Sequence, residues 1–311
     1  MINVMLNISY TLRIVLIGTV LLGVVTGVLG VFTLLKKQAL IGDALSHATL
    51  PGVVLAFMIT RQRSLIVLVL GAAFAAVVSM VLIHLIKKYS KVKYDAALAL
   101  ILSSFFGLGQ VLLTVIGKTA GEAQSGLKQF IFGQAATMSP TDVFFLLVTL
   151  GLIILSVALF WRHLKLYIFN PEYYQSLGFK GGIIQFLLST LTIIVVVVGI
   201  RSVGVILMSA LLIAPGVAAR QLSHKLHMNV VLAAIFGGAS GFLGTLISSS
   251  RRGLSTGPVI VIFASLIVVL ALLFAPKKGV VQMVFKAKKH QKEVQKYRVL
   301  LQLYEGKDVD I

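Results

Sequence analysis

The sequence contains no cysteine, and only nine of its 311 residues are acidic. Without cysteine the chain has no disulfide, thiolate metal site, iron–sulfur cluster or cysteine nucleophile. It also lacks the His-Glu-x-x-His motif of metalloproteases. One stretch, Gly117–Thr119, resembles the end of a phosphate-binding loop, but Leu112 stands where that motif requires glycine. These absences leave no evident nucleotide site, no metalloprotease motif and no cysteine nucleophile.

Charged residues make up only 12% of the chain, whereas 58% of its residues are hydrophobic. A water-soluble protein of this length would need a more polar surface. Apolar runs long enough to cross a hydrocarbon core of about 30 Å lie near 11–35, 39–59, 65–86, 95–116, 141–161, 183–200, 203–220, 229–249 and 257–275. The sequence therefore predicts an all-α, polytopic integral membrane protein with about nine transmembrane helices.

The run at 203–220 differs from the others because it contains Pro215 followed by Gly216. Only an Arg–Ser pair separates it from the run before. We predict a helix break at Ala214 and Pro215, so eight full spans plus a broken or re-entrant helix is the alternative count. Irregular backbone at membrane depth is tolerated where it lines a cavity, so such a break indicates a transport pathway.

The net charge of +19 comes from basic residues that lie between the apolar runs and at the end of the chain. By the positive-inside rule this distribution predicts an N-terminus outside the cell and a C-terminus in the cytoplasm. It explains the charge without nucleic-acid binding. We expect residues 1–279 to form the transmembrane domain and 280–311 a basic amphipathic cytoplasmic tail that lies on anionic lipid or on a partner protein.

Asp43 is the acid that lies inside an otherwise apolar run, and His47 follows it by one helical turn. A charge at membrane depth costs at least about 2.5–3.5 kcal/mol, so it normally faces a cavity or a partner. Residues i and i+4 share one helix face, where a carboxylate and an imidazole can bind the same cation. Ser46 borders that face and is predicted to supply a second-shell hydrogen bond. An ion pair that stabilises packing, or a proton relay, is the alternative.

The segment 162–182 is the longest of the loops predicted to be cytoplasmic. Pro171 and Glu172 are typical of the first turn of a helix, and Gly178 is typical of its end. We predict a short capped helix with exposed Tyr173, Tyr174 and Leu177 that binds a partner subunit. A connector lying on the membrane surface is the alternative.

Several stretches together resemble one family, the permease subunits of ATP-binding-cassette importers for manganese, zinc and iron. They are GDALSHATLPGV (42–53), FGQAATMSPTD (132–142), NPEYYQSLGF (170–179), SVGVILMSALLIAPGVAAR (202–220) and LSTGPVIVI (254–262). The segment 248–258 departs from the resemblance because it is more basic than expected.

The resemblance implies a multi-pass protein of the bacterial cytoplasmic membrane that works by alternating access. It implies a homodimer, two cytoplasmic ATP-binding-cassette ATPase subunits and an extracytoplasmic metal-binding lipoprotein, with no resident cofactor and with ATP hydrolysis in the separate ATPase. The family's metal ligands fall on Asp43 and His47. A stand-alone proton-coupled carrier or a cation channel is the alternative function. The coupling helix of the family falls on Pro171, Glu172, Tyr173, Tyr174, Gln175, Ser176, Leu177 and Gly178.

Overall fold

The computed structural model describes residues 9–61, 64–119, 135, 138–250 and 254–275, together with positions 279, 282–283, 286, 290–291, 293–295, 297 and 304. Over these residues the chain is helical and contains no strand, which confirms the predicted all-α class. Most of the predicted tail lies outside the described residues, as does much of the segment 132–142.

Eleven helices form the described part of the chain, and eight of them are long and apolar enough to cross a membrane. Their bounds are α1 Tyr10–Leu35, α2 Ile41–Thr60, α3 Leu65–Tyr89, α4 Tyr94–Thr119, α5 Pro140–Leu159, α6 Trp161–Phe169, α7 Pro171–Ser176, α8 Gly181–Val203, α9 Val205–Leu222, α10 Leu226–Ser250 and α11 Thr256–Phe274. The helices α6, α7 and α9 are the shorter ones.

Small residues allow the central helices to approach closely. A Cβ atom added to Gly23 of α1 would overlap the backbone carbonyl of Gly237 in α10. The same holds for Gly52 of α2 against Gly71 of α3. Because lipid tails are as apolar as leucine, such close backbone packing is a main source of stability for helices in a membrane. α1 with α10, and α2 with α3, are therefore two closely packed helix pairs of the bundle.

The predicted helix break at Ala214 and Pro215 is wrong. α9 continues through Pro215 to Leu222, and the chain is instead interrupted at Gly204, between α8 and α9. The backbone of Gly204 has φ +87°, a conformation that L side chains rarely adopt, so the interruption falls on a glycine. Proline inside a membrane helix is tolerated because neighbouring groups satisfy the freed carbonyl.

α9 is too short to count as a full span. Its 18 residues extend about 27 Å. A hydrocarbon core of about 30 Å requires about 20 apolar residues. Within the described ranges, eight spanning helices plus one shorter helix is the count that the structure supports.

Candidate metal site

Asp43 lies in the first turn of α2, and His47 follows one turn later on the same face. The Asp43 Oδ1 atom is 3.5 Å from the His47 Nε2 atom. The side chains remain 35% and 28% exposed, respectively. Two potential ligands therefore lie side by side at a partly open surface rather than sealed in the core.

The contact of His47 with α4 lies near the middle of a spanning helix. The His47 ring meets the Phe106 ring edge-on, with centroids 5.0 Å apart. Phe106 follows Tyr94, the first residue of α4, by twelve residues, which corresponds to about 18 Å along a helix of 26 residues. A charge inside a membrane-spanning segment normally faces a cavity or a partner.

Gly42, immediately before the pair, packs against α9. A Cβ atom at this position would overlap the side chain of Leu212, so the small residue allows α9 to lie against the start of α2. The short helix that follows the Gly204 interruption therefore contacts the helix that carries Asp43 and His47. A shift of α9 would therefore change the packing around the first turn of α2, which carries Asp43.

Ser46 is completely buried on the flank of the pair. Its hydroxyl has no hydrogen-bond partner among the described residues, so it donates to neither Asp43 nor His47 in this arrangement. Its backbone carbonyl accepts a hydrogen bond of 2.7 Å from the Thr49 hydroxyl. The proposed second-shell role of Ser46 stays a prediction.

In the part of the chain that the structure describes, no group of three or more His, Cys, Asp or Glu side chains could hold a metal ion. The Asp43–His47 pair therefore offers two potential ligands, one oxygen and one nitrogen. Water or groups from other chains would have to complete the coordination of a divalent cation. A site with few protein ligands suits an ion that must enter and leave, whereas structural metal sites are closed by four.

A second ion pair links the start of α5 to the end of α8. The Arg201 Nε atom lies 2.9 Å from the Asp142 Oδ1 atom, and both side chains are only about a tenth exposed. Asp142 Oδ2 also accepts hydrogen bonds from the Ser139 amide and hydroxyl, at 2.8 and 2.7 Å, which completes a capping box. The Arg201 guanidinium lies 5.0 Å from the centroid of the Phe145 ring.

Sequence reasoning missed the pairing of Asp142 with Arg201. Asp142 lies near the start of the apolar run at 141–161, and Arg201 lies between the runs at 183–200 and 203–220. The available signal was the Ser139–Asp142 spacing, which is typical of a capping box, together with the isolated arginine between two apolar runs.

The predicted short helix lies in the segment 162–182. α7 begins at Pro171, and the side chain of Asn170 caps it by accepting a 2.9 Å hydrogen bond from the Tyr173 amide. The helix ends before Gly178, whose φ of +82° is the left-handed conformation expected of a glycine at this position. Its predicted contact with a partner protein is not visible in a single chain.

The expected exposure of Tyr174 is wrong, because only 3% of its surface is accessible. Its ring stacks on Phe179 with centroids 5.1 Å apart, and its hydroxyl lies 3.2 Å from His163 Nδ1. A helix of six residues needs one side chain to hold it against its neighbours, and Tyr174 has that role. Tyr173 and Leu177 are about half exposed, as predicted.

The Tyr174 cluster also reaches the connection between α1 and α2. Tyr174 contacts Tyr167 of α6 edge-on at 5.6 Å, and the Lys36 ammonium lies 4.9 Å from the centroid of the Tyr167 ring. Lys36 is the C-cap residue of α1, seven residues before Asp43. A continuous set of contacts therefore joins α7 to the segment that leads into the Asp43–His47 pair.

A bundle of membrane-spanning helices with a partly open Asp–His pair on the second helix is typical of a polytopic membrane transport protein. The sequence matches the ABC 3 transport family over residues 8–275, and the chain belongs to that family. It is a multi-pass protein of the bacterial cytoplasmic membrane.

Relatives and a solved structure agree with this assignment. The chain is 42% identical to the zinc transport system membrane protein TroC of Treponema pallidum, over 90% of this chain and 94% of the relative. It is 40% identical to the manganese transport system membrane protein MntC of Bacillus subtilis, over 94% and 67%, respectively. Among solved structures it resembles PsaBC from Streptococcus pneumoniae in complex with Fab, with a TM-score of 0.76 and 29% identity, over 89% of this chain and 96% of that chain.

Proposed function

We propose that the chain is the membrane-spanning permease subunit of an ATP-binding-cassette importer that takes up a divalent transition metal by alternating access. The observation that carries the proposal is the Asp43–His47 pair, 3.5 Å apart, about one third exposed and located on a helix long and apolar enough to cross a membrane. Relatives named as zinc and manganese transport proteins support the same class of cargo. Oxygen plus imidazole suits manganese, iron and zinc alike.

In this proposal Asp43 offsets part of the charge of the metal and His47 supplies a neutral nitrogen ligand. The metal is cargo, so binding must be strong enough for selection and weak enough for release. The contact of Gly42 with Leu212 gives α9 a direct route to alter the geometry of the pair. Two stable packings of α9 against α2 would alternately complete and disrupt the site, which is the requirement of an alternating-access cycle.

The proposed orientation places the N-terminus outside and the C-terminus, α6 and α7 in the cytoplasm. There α7 contacts one of two separate ATPase subunits through Tyr173 and Leu177, whose side chains are exposed. Two copies of the permease and an extracytoplasmic metal-binding lipoprotein complete the importer. Residues 1–279 form the permease domain, and 280–311 form a basic cytoplasmic tail. The chain itself hydrolyses no ATP.

The test of the site is metal uptake measured beside thermal stability in detergent for Asp43→Asn and His47→Ala. Each change removes a direct ligand, so we expect uptake to fall at least about 100-fold, the upper end of what losing an outer-shell partner costs a metal site. The melting temperature should stay within the error of the wild type because the pair is partly open. Asp95→Asn, the same chemical change at an exposed acid of α4, is the matched control.

Three other outcomes separate the alternatives. If Asp43→Asn still transported metal, the Asp43 carboxylate would not be a ligand of the transported metal. A loss of folded protein in proportion to the loss of uptake would indicate a structural ion pair, because breaking such a pair is strongly destabilising. Uptake that needs no ATPase subunit but needs a proton gradient would assign Asp43 to a proton-coupled carrier instead.

The coupling role of α7 is tested by Gly178→Val. A Cβ atom at Gly178 meets open space, so the substitution acts through its backbone, where φ +82° disfavours a β-branched residue by about 1–2 kcal/mol. We expect an inserted protein whose metal uptake no longer responds to ATP hydrolysis by the partner. Gly151→Val also places its Cβ in open space, but in a helical backbone, and should transport normally. Normal uptake by Gly178→Val would contradict the coupling role.

A further inference from the structure

A groove with a volume of about 710 Å³ lies between α3 and α8, away from the Asp43–His47 pair. Most of its wall is apolar, with residues such as Val77 and Met80 on α3 and Ile194 on α8. None of the described residues that line it is acidic, and Lys88 lies at one end. Its volume lies within the range of about 300–1,000 Å³ that is typical of ligand-binding clefts.

The length of the groove matches one leaflet of a bilayer. On α3 the lining runs from Val77 to Lys88, eleven residues or about 16 Å along the helix axis. On α8 it runs from Gly182 to Ile194, twelve residues or about 18 Å. Half of a hydrocarbon core about 30 Å thick is about 15 Å. The groove therefore extends from one membrane surface to about the midplane.

The polar groups of the groove are arranged in layers. Lys88 lies at the surface end, and His84 precedes it by one helical turn. His84 Nδ1 is 2.8 Å from the Met80 carbonyl, which can only accept, so this nitrogen carries the proton and donates. His84 Nε2 then accepts a hydrogen bond from the Gln185 amide at 3.3 Å. Deeper in the groove Ser189 and Thr190 are the remaining polar residues of an otherwise apolar lining.

The same order of chemistry is found along a phospholipid. A negatively charged phosphate is followed by neutral glycerol esters and then by acyl chains. Lys88 matches the phosphate, the Gln185–His84 layer matches the depth of the esters, and the wall from Met80 to Val77 matches the chains. Basic pockets between helices at the cytoplasmic side of a membrane are the sites that bind anionic headgroups.

We propose that this groove binds one anionic phospholipid of the cytoplasmic leaflet. The leaflet follows from the proposed orientation, in which the Lys87–Lys88 end of α3 faces the cytoplasm. The same end of the groove is next to the ATPase-coupling segment, because Gly182 follows Gly178 by only four residues.

The experiment measures lipid retention by the full-length chain purified in detergent. The protein is stripped of lipid, titrated with phosphatidylglycerol or with phosphatidylcholine of the same acyl chains, and analysed by native mass spectrometry. The wild type should bind phosphatidylglycerol more tightly. Lys88→Gln should weaken that binding about fivefold, since one lysine near a membrane surface is worth about 1 kcal/mol, and should leave phosphatidylcholine binding unchanged.

Two further variants define the site. Lys91→Gln removes the same charge from the exposed loop after α3, outside the groove, and should change binding less than twofold. Ser189→Phe places a ring in the groove and should remove retention of both lipids. Equal binding of the two lipids, or full retention by Ser189→Phe, would overturn the proposal.

A loss of dimer mass in Ser189→Phe would show instead that a second copy of the chain covers the groove, and would also overturn the proposal. The readout is independent of metal transport, and Asp43→Asn should bind phosphatidylglycerol like the wild type. A failure of the lipid site and a failure of the metal site are therefore seen separately.

Discussion

The two ion pairs found among the described residues differ in burial and in the number of helices that they join. Asp43 and His47 lie on one helix, 3.5 Å apart, and about one third of each side chain is exposed. Asp142 and Arg201 join two helices at 2.9 Å, and only about a tenth of each is exposed. The second carboxylate also accepts two hydrogen bonds from Ser139.

This difference is the one we expect between a structural charge and a charge that binds a transported cation. Asp142 has a cation and two local donors, so burying it leaves little unsatisfied. Among the described residues, Asp43 forms an ion pair with His47 alone, and an imidazole that is neutral when it binds metal cannot compensate the carboxylate. A carboxylate left incompletely paired inside a membrane-spanning helix is suited to a cation that arrives from outside the chain.

The largest effect on stability is expected for Asp142→Ala. The substitution strands the Arg201 guanidinium inside the bundle and removes the cap of α5, so we expect a loss of about 3–5 kcal/mol in the free energy of unfolding. Asp43→Ala should change it by less than about 1 kcal/mol. Unfolding in detergent, followed by intrinsic fluorescence or by helical circular dichroism, measures both.

The control for this comparison is the double variant Asp142→Ala with Arg201→Met. Removing both charges leaves no stranded ion, so most of the stability should return, apart from about 1 kcal/mol for the lost cap. If the double variant is as unstable as the sum of its parts, the two residues do not act as a pair. If Asp142→Ala alone were as stable as the wild type, the Asp142–Arg201 pair would not be a structural ion pair.

The contrast also explains what the sequence could predict. The Asp43–His47 pair is local, because a spacing of four residues fixes the geometry once the helix is assumed. Asp142 and Arg201 are separated by two helix–loop segments, and only the packing of α5 against α8 brings them together. Sequence periodicity predicts spans, whereas it does not predict which spans are neighbours.

Local backbone chemistry was predicted unevenly for the same reason. The cap at Gly178 was identified because a proline, an acid and a glycine agree within eight residues. The break was assigned to Pro215 rather than Gly204, since proline is the stronger local signal of a broken helix. The burial of Tyr174 depends on Tyr167, Phe179 and His163, which no pattern within α7 reveals.

Lys36 extends the comparison of the two ion pairs, because it is a buried cation with no carboxylate partner among the described residues. Its ammonium is buried over the Tyr167 ring and has no hydrogen-bond acceptor among the described residues. Burial lowers the pKa of Lys36 from 10.5 to about 8. Removing an unsatisfied buried group should raise stability, so we expect Lys36→Met to be more stable than the wild type at pH 7 by about 1–3 kcal/mol.

The stability advantage of Lys36→Met over the wild type should depend on pH, because the pKa of Lys36 differs between the folded and the unfolded state. Below pH 8 the lysine is charged in both the folded and the unfolded state, and the folded state bears the full cost of burying it. Between pH 8 and 10.5 the unfolded state binds more protons, so the stability of the wild type rises with pH. The advantage of Lys36→Met in melting temperature should therefore shrink as pH rises from 7 to 9.5. A constant difference, or a less stable variant, would show that the Lys36 ammonium is favourably bound.

The smallest effect is expected at Ser46, where it decides whether the metal site extends beyond its two ligands. The Ser46 hydroxyl is buried and unsatisfied, so Ser46→Ala should leave stability unchanged or raise it by up to about 1 kcal/mol. Ser79→Ala is the matched control, because that buried hydroxyl donates a 2.6 Å hydrogen bond to the Ala75 carbonyl and its loss should cost about 0.5–1.5 kcal/mol.

The same variants test whether Ser46 contributes to metal uptake. If the Ser46 hydroxyl turns toward the Asp43 carboxylate when metal binds, Ser46→Ala should raise the KM for metal uptake about tenfold, which is the lower end of the effect of losing a hydrogen-bond partner of a metal ligand. Ser79→Ala should leave this KM unchanged. An unchanged KM in Ser46→Ala would confine the site to Asp43 and His47, and the hydroxyl would then be a buried group that the tight packing of α2 tolerates.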